Sequence, residues 1–237
     1  MCVRYARGGA AFDYVAPLMS RSSGGVAPEF RPSWNVLPGT RQPVIGPSGT
    51  VHRVYWGQPC HGVPRAHRQT GRHMRTIVDT SAGGADSPAW SAVWAHGRVV
   101  VPADGWFEWC PAVDGRQPWY IRRADRAPLF MAALIVGTPV GAGHGADDVH
   151  DVQRFVLVAA DGHAGMVDPH ARQPAVLAAP DARAWLDAGT SVARALRLVQ
   201  ANALTADAFD RFPVSRVVND TASADRPGLI ERAATRM

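Results

Sequence analysis

Short apolar runs, rather than long amphipathic ones, punctuate the chain. TVHRVYWG (50–57) alternates apolar and polar residues as a strand does. RVVVPADGWFEW (98–109) predicts a buried strand, a tight turn at Asp104-Gly105 and a second strand. PWYIRR (118–123), PLFMAALIVG (128–137), QRFVLVAA (153–160), AVLAA (175–179) and FPVSRVVN (212–219) predict further strands. WNVLPGT (34–40) predicts a short extended piece ending in a turn. Helical spacing is confined to AAFDYVAPLM (10–19), AWSAVWAHG (89–97) and PDARAWLDAG (180–189). The last has Pro before its first turn, an acid near its start and Gly past its end. Many strands with short turns and few helices predict an α+β domain around a curved, mostly antiparallel sheet flanked by short helices.

Two stretches, SRSSGGVAPEFRPS (20–33) and VGAGHGADDVHD (140–151), predict loops. Residues 58–89 change character: they are rich in His, Arg, Gly and Pro, with little periodicity, and read as mostly loop. No linker divides the chain and no internal repeat occurs, so one domain over residues 1–237 is expected, with 58–89 as a divergent segment inside it.

Composition narrows this picture. At 237 residues, 46% of them hydrophobic, the chain can build one sizeable core. No run is apolar enough to cross a membrane, and the N-terminus lacks the apolar region of a secretory signal. Cys2, Cys60 and Cys110 are too scattered for a disulfide framework, which fits a reducing cytoplasm. The net charge is +5, and all 25 basic residues are arginine. A GC-rich genome accounts for much of that preference, but the guanidinium fork is also well suited to phosphate.

Four features could carry chemistry. Cys2 follows the initiator methionine, and trimming of Met1 would leave a 1,2-aminothiol that no internal cysteine can offer. Glu108 is the one carboxylate of the aromatic-rich strand that the turn in ADGWFEW feeds, on the same strand face as Trp106 by alternation. Beside that indole its pKa would rise toward the general-acid range, although a carboxylate on such a strand, taken alone, reads as an edge residue in solvent. His170 lies in the Pro-bounded VDPHARQP loop, where it could act as acid or base or be a surface residue. Cys60, His61, His67 and His73 match no zinc-ligand spacing, and neither metal nor cofactor is expected.

Taken in order, these stretches resemble the abasic-site processing proteins of the SOS response-associated peptidase family. MCVRYA is similar to the family's MCGRYA start, WNVLPGT to its YNxAPT segment, and VYWG to the start of its WGL-type motif. VPADGWFEW resembles its PADGFYEW block and PWYI…PLFMAAL the strands that follow. VDPHARQPAVL resembles IHxRMPxIL, and PVSRVVND…DRPGLIE the closing V-x-x-VN…LI segment. The resemblance implies a barrel-like sheet and a covalent trap for abasic sites in single-stranded DNA. The Cys2 amine would form a Schiff base with the open-ring aldehyde, and the thiol would close a thiazolidine. An α-amine of pKa about 7.7–8.0 is largely available near neutrality, and a thiol of about 8.5 needs modest help. By the same resemblance His170 would open the sugar ring, Glu108 would position the amine and shuttle protons, and Arg4, Asn35, Pro38 and Arg172 would contact phosphates or line the pocket. A cytoplasmic monomer, nucleoid-associated when bound to DNA, is expected.

The chain departs from the family pattern in three places. Val3 replaces a glycine, with added bulk and restricted backbone. The NARxET block is absent, so that Val78 and Thr80 stand where its asparagine and arginine would, with Asp79 between them. No tryptophan lies between Trp56 and Trp90, where the family has an aromatic wedge. Arg65, Arg68, Arg72 and Arg75 could restore phosphate contact. Two alternatives therefore stand beside the crosslinking reading: a cysteine hydrolase using Cys2, and a degenerate relative that only binds DNA.

Overall fold

The computed structural model describes residues 4–19, 30–59, 76–77, 79–81, 88–137, 153–161, 172–201, 204–222 and 225–233. Cys2, Val3 and His170 lie outside the described residues, as do the 140–151 loop, the cysteine and histidines at 60–73, and the arginines at 65, 68, 72 and 75.

In chain order the strands are β1 (Tyr5–Arg7), β2 (Ser33–Val36), β3 (Arg41–Ile45), β4 (Val51–Trp56), β5 (Gln58–Pro59), β6 (Thr76–Ile77) and β7 (Asp79–Ser81). They continue as β8 (Arg98–Ala103), β9 (Gly105–Ala112), β10 (Gly115–Arg123), β11 (Leu129–Val136), β12 (Arg154–Asp161), β13 (Arg172–Pro174), β14 (Val176–Leu177) and β15 (Phe209–Pro213). The helices are α1 (Ala11–Val15), α2 (Pro88–His96), α3 (Ala179–Leu186) and α4 (Val192–Ala201). The fold is α+β, as expected.

Strands β4, β3, β8, β11 and β12 pair in turn, and β12 pairs back onto β4, which closes a five-membered barrel. That closing pair is parallel; the other four are antiparallel. Closure removes sheet edges that would otherwise need covering. β7, β13 and β14 extend the barrel wall, and β15-β10-β9-β1-β2 form a second, antiparallel sheet.

Apolar runs without alternation on β8, β11 and β12 have a physical reason: both faces of these strands are buried. Val99, Val101, Met131, Ala133, Phe155 and Leu157 join Val44, Val54 and Trp56 in one cluster, which extends to Tyr5, Trp106, Ile121 and Phe209 of the second sheet. Their neighbours Val100, Ala132, Leu134, Val156 and Val158 face the other way, onto Trp94 of α2, Trp185 of α3 and Ala195 and Val199 of α4.

A buried arginine ties these helices to the barrel. Arg98 donates through Nη1 to Trp94 O (2.7 Å), through Nε to Trp185 O (2.8 Å), and through Nη2 to Asp187 O (3.0 Å) and Thr190 O (2.9 Å). One side chain thus satisfies carbonyls at the ends of two helices that nothing within the helix can reach. Burial lowers its pKa, yet an arginine stays charged. Arg98→Met should leave these carbonyls orphaned and lower stability by about 3 kcal/mol or more in urea unfolding. A loss below about 1 kcal/mol would mean that water replaces the guanidinium without penalty.

One expectation needs correction, and two gain detail. Within 58–89, the described residues include strands β5, β6 and β7, and β7 pairs in parallel with β12. Tertiary pairing imposes extended structure there on a sequence with little periodicity of its own. Residues 212–219 are not one strand. β15 starts earlier, at Phe209, and Arg216–Asn219 form a 3-10 turn whose start Ser215 caps, its hydroxyl accepting from Val217 N at 3.3 Å. The turn at Asp104 carries the chain from one sheet to the other: β8 belongs to the barrel and β9 to the second sheet.

Asp104 fixes that switch between sheets. Its backbone N–H donates to Ala6 O (2.8 Å), and its carboxylate accepts from Gly8 N (2.6 Å) and the Tyr14 hydroxyl (2.6 Å). Burial first, and then the Asp104 charge, push the Tyr14 phenol well above its ordinary pKa, so it remains a donor. At Gly105 a Cβ would collide with the Ile121 carbonyl and the Tyr120 ring. The Asp-Gly pair in ADGWFEW is therefore architectural, and it aims β9.

Candidate functional site

β9 lies between β10 and β1, with Glu108 opposite Trp119 of β10. The edge-strand reading of Glu108 is thus overturned: its strand is central and the residue is 2% exposed. Trp106 belongs to the cluster shared with the barrel, whereas Phe107, with Trp109 packed against it, belongs to a third cluster on the opposite face. Alternation puts Glu108 on the Trp106 side.

β1 lies alongside, preceded by Arg4. Tyr5 opposes Trp106, and Phe107 N donates to Arg4 O at 3.1 Å. On β2, Ser33–Val36 spans the same length as Tyr5–Arg7 of β1, so the register slips by one residue. With Tyr5 opposite Val36, Asn35 and Arg4 share a face of the sheet. Arg4 Nη1 lies 3.5 Å from Asn35 Oδ1 and donates to Val218 O; Nη2 lies 3.5 Å from Asn219 O. Asn35 Nδ2 shares the Val218 carbonyl at 3.3 Å. The guanidinium also lies 5.3 Å from the Trp109 ring centroid, and Trp109 Nε1 donates to Asn219 Oδ1 at 2.6 Å. Burial lowers the Arg4 pKa.

The structure therefore brings Arg4 and Asn35 together on the Trp109 face of the second sheet, with Glu108 one residue away on β9 and facing the other side. Pro38 is half-buried in the turn after β2. Gly39 follows it with φ of 81°, the pattern of a type II turn, and donates from its N–H to Trp56 O at 2.8 Å. Arg172 opens β13 and pairs with Asp161. Trp109, Val218 and Asn219 were not singled out from the sequence as site residues. Their signal lay in WFEW and VVND, whose partnership depends on the fold.

Fold and site together define an α+β barrel protein whose N-terminal strand runs beside a buried carboxylate. The family model described as SOS response associated peptidase (SRAP) matches residues 1–221, and the chain belongs to that family. It is 33% identical over 225 residues to the abasic site processing protein YedK of Escherichia coli (strain K12), covering 93% of this chain and 95% of that one. Among solved structures it resembles a phage-related protein from Bordetella bronchiseptica (TM-score 0.68, 30% identity, 91% of this chain and 95% of that one). A protein from Bacteroides thetaiotaomicron, at 19% identity, shares the fold (TM-score 0.74, 98% of this chain and 100% of that one).

Proposed function

We propose that the protein acts in the DNA damage response by processing abasic sites, and that it does so by trapping them in single-stranded DNA as a thiazolidine on Cys2. Similarity to an abasic site processing protein supports the coarser reading. The observation that carries the finer one is the placement of Glu108, buried on the strand that receives the N-terminal segment through the Phe107–Arg4 hydrogen bond. Cys2 precedes Arg4 by two residues, so their Cα atoms lie within about 7.6 Å along the chain. His170 stands in the same relation to Arg172 on β13.

With Met1 removed, the Cys2 amine adds to the sugar aldehyde and water leaves, giving an imine. The thiol then adds across the C=N bond: a C–S bond forms and the thiol proton passes to nitrogen. Glu108 and His170 move protons in ring opening and water loss. The overall change is aldehyde plus aminothiol to thiazolidine plus water, with no redox partner required.

The test is incubation with an oligonucleotide carrying one abasic site. A denaturation-resistant band should appear, with the mass of the Met1-trimmed protein plus DNA less one water. Absence of that band, or adducts that retain Met1, would remove the thiazolidine mechanism. Cleavage of a peptide in parallel reactions, with no DNA adduct, would instead support the hydrolase reading.

A further inference from the structure

The guanidinium of Arg4 is directed into the protein. Its acceptors are carbonyl oxygens: the side chain of Asn35 and the backbone of Val218 and Asn219. Trp109 covers it from one side, and Asn219 locks that indole through its own amide oxygen. Val218 is fully buried, and the 3-10 turn that supplies both carbonyls packs beside β10. These contacts turn three of the five guanidinium N–H groups toward protein carbonyls. The Arg4 backbone carbonyl meanwhile accepts from Phe107 N, the amide next to Glu108.

We propose that Arg4, Trp109 and Asn219 form a positioning bracket. It pins Arg4 to β9, the strand that carries Glu108, and so restricts where Cys2, two residues earlier in the chain, can lie; Arg4 does not serve as a contact to the DNA backbone. This assigns a purpose to the VVND motif near the C-terminus. Its carbonyls hold the Arg4 guanidinium and its asparagine holds the Trp109 indole. The inference rests on the Cys2 crosslinking reading for its consequence, although the bracket itself is a matter of contacts.

The two roles for Arg4 predict opposite measurements. A phosphate contact on a single strand contributes about 0.7 to the slope of log affinity against log salt. Under the bracket, Arg4→Ala leaves that slope unchanged and slows single-turnover crosslinking at saturating DNA by about 10²-fold, the usual consequence of a misplaced reacting group. Asn219→Leu lowers the same rate in the same way. Asn219→Asp, which keeps an acceptor for Trp109 Nε1, retains most of it. Amide hydrogen exchange at Phe107 quickens in Arg4→Ala and Asn219→Leu, while the thermal midpoint stays close to that of the unaltered protein. A salt slope that falls by about 0.7, with the rate at saturation and the Phe107 exchange both unchanged, overturns the bracket. If the unaltered protein forms no adduct at all, the crosslinking reading fails, and the Phe107 exchange rates still decide whether the bracket exists.

Discussion

Cys2→Ala is expected to abolish the denaturation-resistant adduct with abasic DNA completely, while salt-sensitive binding to the same DNA persists. The reason is chemical: alanine keeps the α-amine, so an imine still forms, but nothing closes it and water reverses it on denaturation. Borohydride should trap that imine in Cys2→Ala, a result that separates the first step from the second. Cys2→Ser should behave almost the same way, because a hydroxyl is a far weaker nucleophile than a thiolate. Denaturing electrophoresis with and without borohydride reads both outcomes. A stable adduct from Cys2→Ala without reductant would exclude the thiol from the linkage.

The second large effect falls on the proton-transfer groups. Glu108→Gln should slow adduct formation by about 10²-fold or more, and His170→Ala by a similar factor, with DNA affinity little changed. Glutamine matches glutamate in shape, so a residue 2% exposed at the centre of a sheet can be exchanged without opening a cavity. Quench-flow time courses at saturating DNA, with a thermal melt to show that each variant is folded, make the measurement. Adduct formation by folded Glu108→Gln at the unaltered rate would leave Glu108 as a buried structural carboxylate.

Much of the fold can be read from local patterns. The strands around 98–109, 118–123 and 128–137 emerge where apolar runs predict them, and so do the helices at 89–97 and 180–189. α4 is legible too: Val192, Ala195, Leu196 and Val199 recur at helical spacing. β3 was not legible, because Pro43 interrupts a short run, and only pairing with β4 and β8 makes it a strand. β7 likewise owes its conformation to β12, since DTS has no strong preference for an extended chain.

For the site, the sequence alone determined which reactive groups exist. A thiol at the second residue, a carboxylate among tryptophans and a histidine between prolines are set by residue identity, and motif order ties them to one family. Tertiary structure decided what the neighbouring residues do. Glu108 reads as a solvent carboxylate until β1 and β10 flank its strand and bury it. The Val218 and Asn219 carbonyls that meet the Arg4 guanidinium lie more than two hundred residues away along the chain, a partnership that no local pattern announces. Asn35 lies beside Arg4 because β2 pairs with β1, Tyr5 opposite Val36. Periodicity reports the face on which a side chain lies. Which partner occupies that face is set by strand order, register and chain reversal, and these are fixed by contacts between distant segments.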